Sequence, residues 1–320
     1  MSTVLSWNVA GRVRSVPQQA VALADQPADV VALQEVRVTS IGAWRTALNE
    51  LGFDHILTTL DSHDPLVRLE PDRRLGVLLA ARERLHPQAG PEVPWPERLL
   101  ISRVEFASTT VEICNLHSPI SSKPNEVKVR TLESVAGYLA AASDVPRVLV
   151  GDLNTPQYES REGEVSSFAR TRSGRIRPDY GERHDRAELG IVVGICEHGY
   201  RDAFRTLHGY SRRDRSWLYP HRKMGYRLDH ILVRGLEVEA CEYRHDGATR
   251  SSAITPRSGP LFASSYSSIS ARSVTAAMFG PDRERTHHDP QAPSPPQPED
   301  LHLHRAHGGR RIGDRHRGAA

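Results

Sequence analysis

The chain has 320 residues with a net charge of +3, of which 38% are hydrophobic and 25% are charged, so it can bury the core of a large globular domain. No apolar run is long enough to span a membrane, and the first residues lack the layout of a signal peptide. Three scattered cysteines fit a reducing compartment, and we expect a cytoplasmic monomer without a membrane anchor.

Residues 1 to 247 alternate apolar runs with polar turns, in the manner of a folded domain. Six short runs rich in Val, Leu and Ile predict buried strands: TVLSWNV, DVVALQEV, LGVLLAAR, TVEICNLHS, RVLVGDLN and YRLDHILV. Three segments with apolar residues at three- and four-residue spacing predict amphipathic helices: PQQAVALADQ, IGAWRTALNELG and NEVKVRTLESVAGYLAAA. Several strand pairs have no helix between them, which favours an α/β sandwich of mixed sheets.

Two stretches lack this periodicity. Residues 157–186 are rich in Arg and form either an ordinary surface loop or a contact for phosphates beside a catalytic site. Residues 248–320, apart from a faint SVTAAMFG, predict a disordered low-complexity tail. This tail has ten Arg against six acidic residues, so the basic charge of the chain comes from it.

Polar side chains stand at the ends of the predicted strands, where a buried core would not select them. One such residue is usually a cap or a turn residue, but six together indicate a binding site at one sheet edge. The six are Asn8, Glu35, His117, Asp152, Asn154 and Asp229.

The chemistry of this set is coherent. Its three carboxylates are ligands for a hard divalent cation, and no Cys or paired His offers a zinc site. The two asparagines can hold a phosphate oxygen or the attacking water without adding charge, and the histidine can donate a proton or a hydrogen bond. Together they predict metal-assisted hydrolysis of a phosphoester.

In this order, SWNVAG, ALQEV, NLHSP, VGDLNTP, DAFR and YRLDHILV resemble the endonuclease/exonuclease/phosphatase superfamily, which includes exonuclease III and deoxyribonuclease I. The resemblance spans residues 1 to about 245. It implies a four-layer sandwich of two mixed β-sheets flanked by helices, and hydrolysis at phosphorus that depends on Mg²⁺ or Mn²⁺.

The resemblance also implies roles for the matched residues. Glu35 is similar to the principal metal ligand, and Asn8 lies where the family places an Asn near metal and phosphate. Asp152 resembles the carboxylate at the metal that orients or deprotonates the water, with Asn154 beside it on the phosphate. His117 matches the first of two histidines in deoxyribonuclease-like members.

Asp229 resembles the carboxylate that orients the second histidine and fixes its protonation state. Trp217 is similar to an aromatic at the substrate face, although a core tryptophan fits equally, and Arg37 is a candidate phosphate contact on an otherwise ordinary exposed position. Asp202 recurs in the family pattern, but a helix N-cap explains it. We expect His230 to be structural.

The family's last motif, Ser-Asp-His, does not follow Asp229, so the domain is predicted to lack a catalytic histidine and the closing strand of one sheet. Codons for Ala253-Ile254-Thr255, read two bases later with the third positions that GC-rich genes favour, encode Asp-His. This suggests the hypothesis of a frameshift between residues 243 and 252. The alternative is a genuine disordered tail on a domain that ends early.

Three functional hypotheses follow. The first is a divalent-metal phosphodiesterase, a DNA endonuclease or exonuclease with nucleic acid as its substrate. The second is a phosphatase or phospholipase of the same superfamily on a small or lipid phosphoester. The third is an inactive truncated member that retains metal or nucleic-acid binding.

Overall fold

The predicted strands form two mixed β-sheets in a computed structural model of the chain. The structure describes residues 2–61, 74–106, 109–120, 123–218 and 225–245, together with the backbone of 268–269 and 274–279. One compact unit spans Met1–Arg285, and the second unit, Thr286–Ala320, lies outside the described residues. Among the described residues, no helix is long and apolar enough to cross a membrane.

The first sheet is built on strands near the start of the chain. Its strands are β1 (Ser2–Asn8), β2 (Val30–Arg37), β3 (His55–Thr58), β4 (Leu75–Ala81), β15 (Cys241–Tyr243), β16 (Ser268–Ile269) and β17 (Val274–Phe279). Their order is β15-β17-β1-β2-β4-β3, with β16 also paired to β1. β1 and β2 run parallel, so both end at the same sheet edge.

The second sheet carries the middle of the chain. Its strands are β5 (Leu85–Pro87), β6 (Leu99–Phe106), β7 (Thr109–His117), β8 (Arg147–Asp152), β11 (Arg201–Asp202) and β14 (Asp229–Arg234), in the order β11-β14-β8-β7-β6-β5. Two short ribbons stand apart: β9 (Tyr158–Glu159) with β10 (Val165–Ser166), and β12 (Trp217–Leu218) with β13 (Gly225–Tyr226).

Helices cover the outer faces of both sheets. They are α1 (Val16–Ala24), α2 (Ile41–Glu50), α3 (Glu126–Ala140), α4 (Gly181–Val192) and α5 (Ala203–His208), with 3₁₀ turns at Val38–Ser40, Pro96–Arg98 and Gly194–His198. Strands buried on both faces explain the near-continuous apolar runs of the sequence. Val4 packs between the two sheets, whereas the next residue, Leu5, packs under α1 and α2. A third cluster lies between the second sheet and α3 with α4. The predicted four-layer sandwich is confirmed.

Two sequence predictions differ from the structure. Helix α4 falls partly within the stretch predicted to be an irregular loop, because it buries His184, Asp185 and Glu188 and therefore shows no apolar period. The second difference lies in the predicted tail after residue 247, where the structure places β17, paired in parallel with β1 and with β15. Its sequence, VTAAMF, lies within the faint apolar segment noted above. Apart from β16 and β17, the predicted disordered tail lies outside the described residues.

Candidate active site

The site lies at the edge where strands from both sheets end. Asn8 ends β1, Glu35 lies near the end of β2, and His117 and Asp152 end the parallel neighbours β7 and β8. Asp229 begins β14, which is antiparallel to β8, so it reaches the same edge. The structure thus brings together the five predicted residues that flank or end these strands, each from a different part of the chain.

A β-bulge turns Glu35 out of the sheet. The pairing of β2 with β4 shifts between Leu33 and Val36, and Glu35 has a φ of +58°, in the left-handed region. Bulges with unusual backbone conformation are common beside active sites because they redirect one side chain. A buried network supports the bulge: Asn115 Nδ2 donates to the carbonyls of Leu33 (3.1 Å) and Leu78 (3.0 Å), and Asn115 Oδ1 accepts from Gln34 (2.8 Å).

A glycine sets the close approach of the strands that carry His117 and Asp152. Gly151 has a φ of +135°, and a Cβ built there would lie 2.0 Å from the carbonyl oxygen of Leu116. A side chain is therefore excluded at this position, which explains the glycine in VGDLN. The resulting register places His117 directly beside Asp152.

Asn8 connects the two carboxylates at the centre of the site. Its Nδ2 donates to Glu35 Oε1 at 3.0 Å and to Asp152 Oδ2 at 2.9 Å. Its Oδ1 accepts from the backbone N–H of Ala10 at 2.9 Å, which fixes the orientation of the amide. In this arrangement the amide of Asn8 positions the carboxylates, and its role as a metal ligand stays a prediction.

His117 is buried and held in one tautomer. Its Nδ1 lies 3.4 Å from Nη1 of Arg98, which can only donate, so the ring proton belongs on Nε2. Nε2 faces Glu35 Oε1 at 3.6 Å. Burial and the nearby guanidinium of Arg98 hold the pKa of His117 well below its ordinary value. His117 is therefore a neutral imidazole whose N–H points into the site, suited to donating a hydrogen bond.

The carboxylates differ in exposure. The side chain of Glu35 is 25% exposed, whereas Asp152 is buried, and burial raises the pKa of Asp152. Oxygen or nitrogen atoms of Glu35, His117 and Asp152 all lie within 4.8 Å of one another, the geometry of a possible metal-ligand triad. Two carboxylates with an accessible edge suit a hard divalent cation. These residues therefore fit a cation held chiefly by Glu35 and Asp152.

Among the described residues, Asp229 has no cationic partner, and only the hydroxyl of Ser216 lies close enough to oppose the rise in its pKa. Its backbone N–H donates to Ser216 Oγ at 3.0 Å, and its carbonyl accepts from the hydroxyl of Tyr243. Its side chain is buried, and neither carboxylate oxygen has a hydrogen-bond partner among the described residues. Burial and the negative charge of Asp152 raise the pKa of Asp229 well above its ordinary value. His245, which follows β15, does not pair with Asp229; its Nε2 lies 2.8 Å from Asp214 Oδ1.

The remaining predicted residues lie around this centre. Asn154 is buried in the loop after β8, and Arg37 is exposed with its Nε bonded to the carbonyl of Gly11 at 2.7 Å. The ring of Trp217 stacks on Tyr226, with centroids 5.7 Å apart. Asp202 caps α5 by accepting from the N–H of Arg205, as predicted.

His230 also has the structural place predicted for it. It is fully buried, and its ring nitrogens contact Asp202 Oδ2 (3.2 Å) and the carbonyl of Thr155 (2.8 Å).

Two residues that the sequence reasoning did not select also contact the site residues. No sequence pattern points to Arg98, because it reaches His117 only through a Pro-containing 3₁₀ turn. Lys128 stands out in the sequence only as one of few lysines in a chain rich in Arg.

Two mixed sheets in a four-layer sandwich, with carboxylates, amides and a histidine at one edge, define a metal-dependent phosphoesterase fold and site. The chain belongs to the Endonuclease/Exonuclease/phosphatase family, whose model matches residues 5–265. This is a family of hydrolases that act on phosphoester bonds. No curated protein sequence matches the chain.

Several solved structures share the fold. An AP endonuclease from Archaeoglobus fulgidus is 19% identical with a TM-score of 0.60, and the match covers 84% of this chain and 100% of that one. The 3′ phosphatase NExo from Neisseria, bound to a product DNA hairpin, is 17% identical with a TM-score of 0.57 and coverage of 84% and 99%. A humanized D. rerio TDP2 is 16% identical with a TM-score of 0.51 and coverage of 76% and 90%.

Proposed function

We propose that the protein is a Mg²⁺- or Mn²⁺-dependent phosphodiesterase that cleaves DNA and acts as a monomer. The observation that carries the proposal is the convergence of Glu35, Asp152 and a ring nitrogen of His117 within 4.8 Å at one partly open edge. A cation bound by the two carboxylates would polarise a phosphoryl oxygen and lower the pKa of a water.

The chain's own residues then have distinct tasks. Asp152 orients the attacking water and takes its proton, because its carboxylate is fixed by hydrogen bonds from the Asn8 amide and from the backbone N–H of Asn154. His117 donates its Nε2–H to charge that develops on the phosphoryl group. Asn154 lies beside Asp152, with its backbone N–H bonded to Asp152 Oδ1 at 2.9 Å, and contacts the phosphate.

A nucleic-acid substrate is favoured by exposed basic side chains and an accessible aromatic ring. Arg161, Arg172 and Arg175 are exposed in the Arg-rich stretch and can bind backbone phosphates. Other arginines of this stretch instead tie the loop down, as Arg170 does by pairing with Asp185 at 2.6 Å. Trp217 is half-buried, and its partly exposed ring is an aromatic surface on which a base can stack.

Plasmid nicking with Mg²⁺ tests the proposal. We expect EDTA to abolish cleavage and Asp152→Asn to lower kcat by about 10²- to 10⁴-fold. Asp144→Asn, at an exposed residue that pairs with Arg103, is the matched control and should cleave normally. Near wild-type cleavage by Asp152→Asn would overturn the assignment. Release of phosphate from small esters without nicking would instead support the phosphatase or phospholipase alternative.

The unpaired carboxylate of Asp229 favours a second candidate, an inactive member that retains metal binding. The frameshift hypothesis explains the same observation, since the shifted frame supplies an Asp-His. A missing closing strand was one argument for inactivity and for a frameshift, and the pairing of β17 with β1 weakens it. The other argument, the missing histidine, is unaffected. Assaying the chain as written beside a frame-corrected version separates them: cleavage by the corrected protein alone would support the frameshift.

A further inference from the structure

Lys128 is a fully buried lysine in the first turn of α3. Its Nζ lies 2.8 Å from Glu188 Oε1 on α4 and donates to the carbonyl oxygen of Asn154 at 2.7 Å. Its ammonium also lies 5.7 Å from the ring centroid of Phe168. Lysine is almost never fully buried unless it is paired, so this position carries a specific contact rather than general packing.

The ion pair joins three parts of the structure. Glu188 is itself completely buried, and its Oε2 accepts from the backbone N–H of Phe168 at 2.6 Å while its Oε1 contacts His184 at 3.2 Å. Burial lowers the pKa of Lys128, and the charge of Glu188 opposes this shift. A buried ion pair contributes little net stability compared with an apolar pair, so stability alone does not explain why a lysine stands at this position.

That role concerns the loop after β8. Asn154 has a φ of +52°, and this conformation must be held by its surroundings. Its side chain donates to the carbonyl of Ser118 at 2.8 Å, and its backbone N–H donates to Asp152 Oδ1. Both contacts come from the sheet edge, whereas the contact of its carbonyl with Lys128 comes from the helix layer and fixes the other side of the loop.

We propose that Lys128 is a positioning residue that anchors the carbonyl of Asn154 and thereby aims Asn154 and Asp152 at the phosphate. This inference rests on the proposed function. A displacement of about 1 Å at catalytic groups can lower turnover by about 10²-fold. Removing the anchor is therefore expected to lower kcat while leaving KM unchanged.

Three variants separate positioning from stability. Lys128→Met removes the anchor but leaves the buried charge of Glu188 without its lysine, so it is combined with Glu188→Gln in a double variant that lacks both charges of the pair. Glu188→Gln alone keeps the Lys128 contact to Asn154 but leaves the buried ammonium without its carboxylate, so we expect it to unfold at a lower urea concentration and compare its kcat under conditions where it is folded. We expect the double variant to unfold at the same urea concentration as the wild type, with kcat lower by about 10²-fold. Glu188→Gln should keep wild-type kcat, and Lys128→Arg should recover most activity.

One readout does not depend on cleavage. The backbone amide resonance of Asn154 in selectively labelled protein should move and exchange faster in the double variant, and should not do so in Glu188→Gln. A double variant with wild-type stability, kcat and Asn154 resonance would overturn the proposal. If the wild type cleaves no phosphoester, the proposed function fails, and the amide resonance alone still decides whether Lys128 anchors the loop.

Discussion

Replacing Asp229 by Asn is expected to stabilise the protein at neutral pH, which is unusual for a substitution at a buried polar residue. Both carboxylate oxygens of Asp229 lack hydrogen-bond partners among the described residues, and Asp152 lies beside it across β14 and β8. An unpaired buried charge costs about 3–5 kcal/mol. An unpaired neutral polar group costs about 1–3 kcal/mol. The amide should therefore raise the free energy of unfolding by about 2 kcal/mol, the difference between these costs.

The effect has a defined pH dependence. Because the pKa of Asp229 is raised in the folded state, the wild type becomes less stable as the pH rises above the unfolded value of about 4. The loss grows by up to about 1.4 kcal/mol per pH unit until the folded pKa is reached. The gain from the Asn substitution should be greatest at pH 8 and should vanish near pH 4, where the carboxyl group is protonated in both states.

Urea unfolding between pH 4.5 and 8.5 in EDTA measures this difference without a cation in the site. Asp202→Asn is the matched control, because Asp202 is also a carboxylate of the second sheet, with 11% of its side chain exposed, but pairs with Arg227 at 2.8 Å. Its pKa is lowered by Arg227 and His230 against the effect of burial, so its replacement should destabilise the protein at neutral pH by about 3 kcal/mol. If Asp229→Asn destabilises the protein equally, Asp229 is paired and our reasoning is wrong.

The same substitution bears on the frameshift hypothesis. In a frame-corrected protein, a histidine contributed after β15 would pair with Asp229, and Asp229→Asn would then leave that histidine without its partner. We expect the sign of the stability change to reverse between the two chains and the corrected variant to lose activity. An unchanged sign in the frame-corrected protein would argue against a pairing of Asp229 with the restored histidine.

Further predictions concern the other side of the site. Glu35→Gln should weaken Mn²⁺ binding at least tenfold by calorimetry, because it removes the most exposed carboxylate; unchanged affinity would remove Glu35 from the metal site. Arg98→Met should raise the pKa of His117 in an NMR titration, since a nearby positive charge is lost, and an unmoved pKa would refute the electrostatic effect of Arg98 on this ring. Asn115→Ala should lower the free energy of unfolding by about 3 kcal/mol in urea, because it unpairs buried groups on two strands of the first sheet; a loss below 1 kcal/mol would contradict this.

Helix prediction succeeded where a single face is buried. The spacing of apolar residues placed α3 within two residues of its observed ends, because this helix buries one apolar face. The same reasoning missed α4, whose buried face includes the polar residues His184, Asp185 and Glu188. It also missed β17, a short apolar run in a polar region that gains its structure only by pairing with β1.

The sequence by itself determined the class of the site, since polar residues after apolar runs identify strand ends and carboxylates there select a hard cation. Only the tertiary structure decided what each residue does. The bulge at Glu35, the tautomer of His117, the unpaired carboxylate of Asp229 and the anchor from Lys128 all depend on groups distant in the chain. Spacing along the chain reports local periodicity, whereas protonation and orientation depend on burial and on neighbours that the fold brings together.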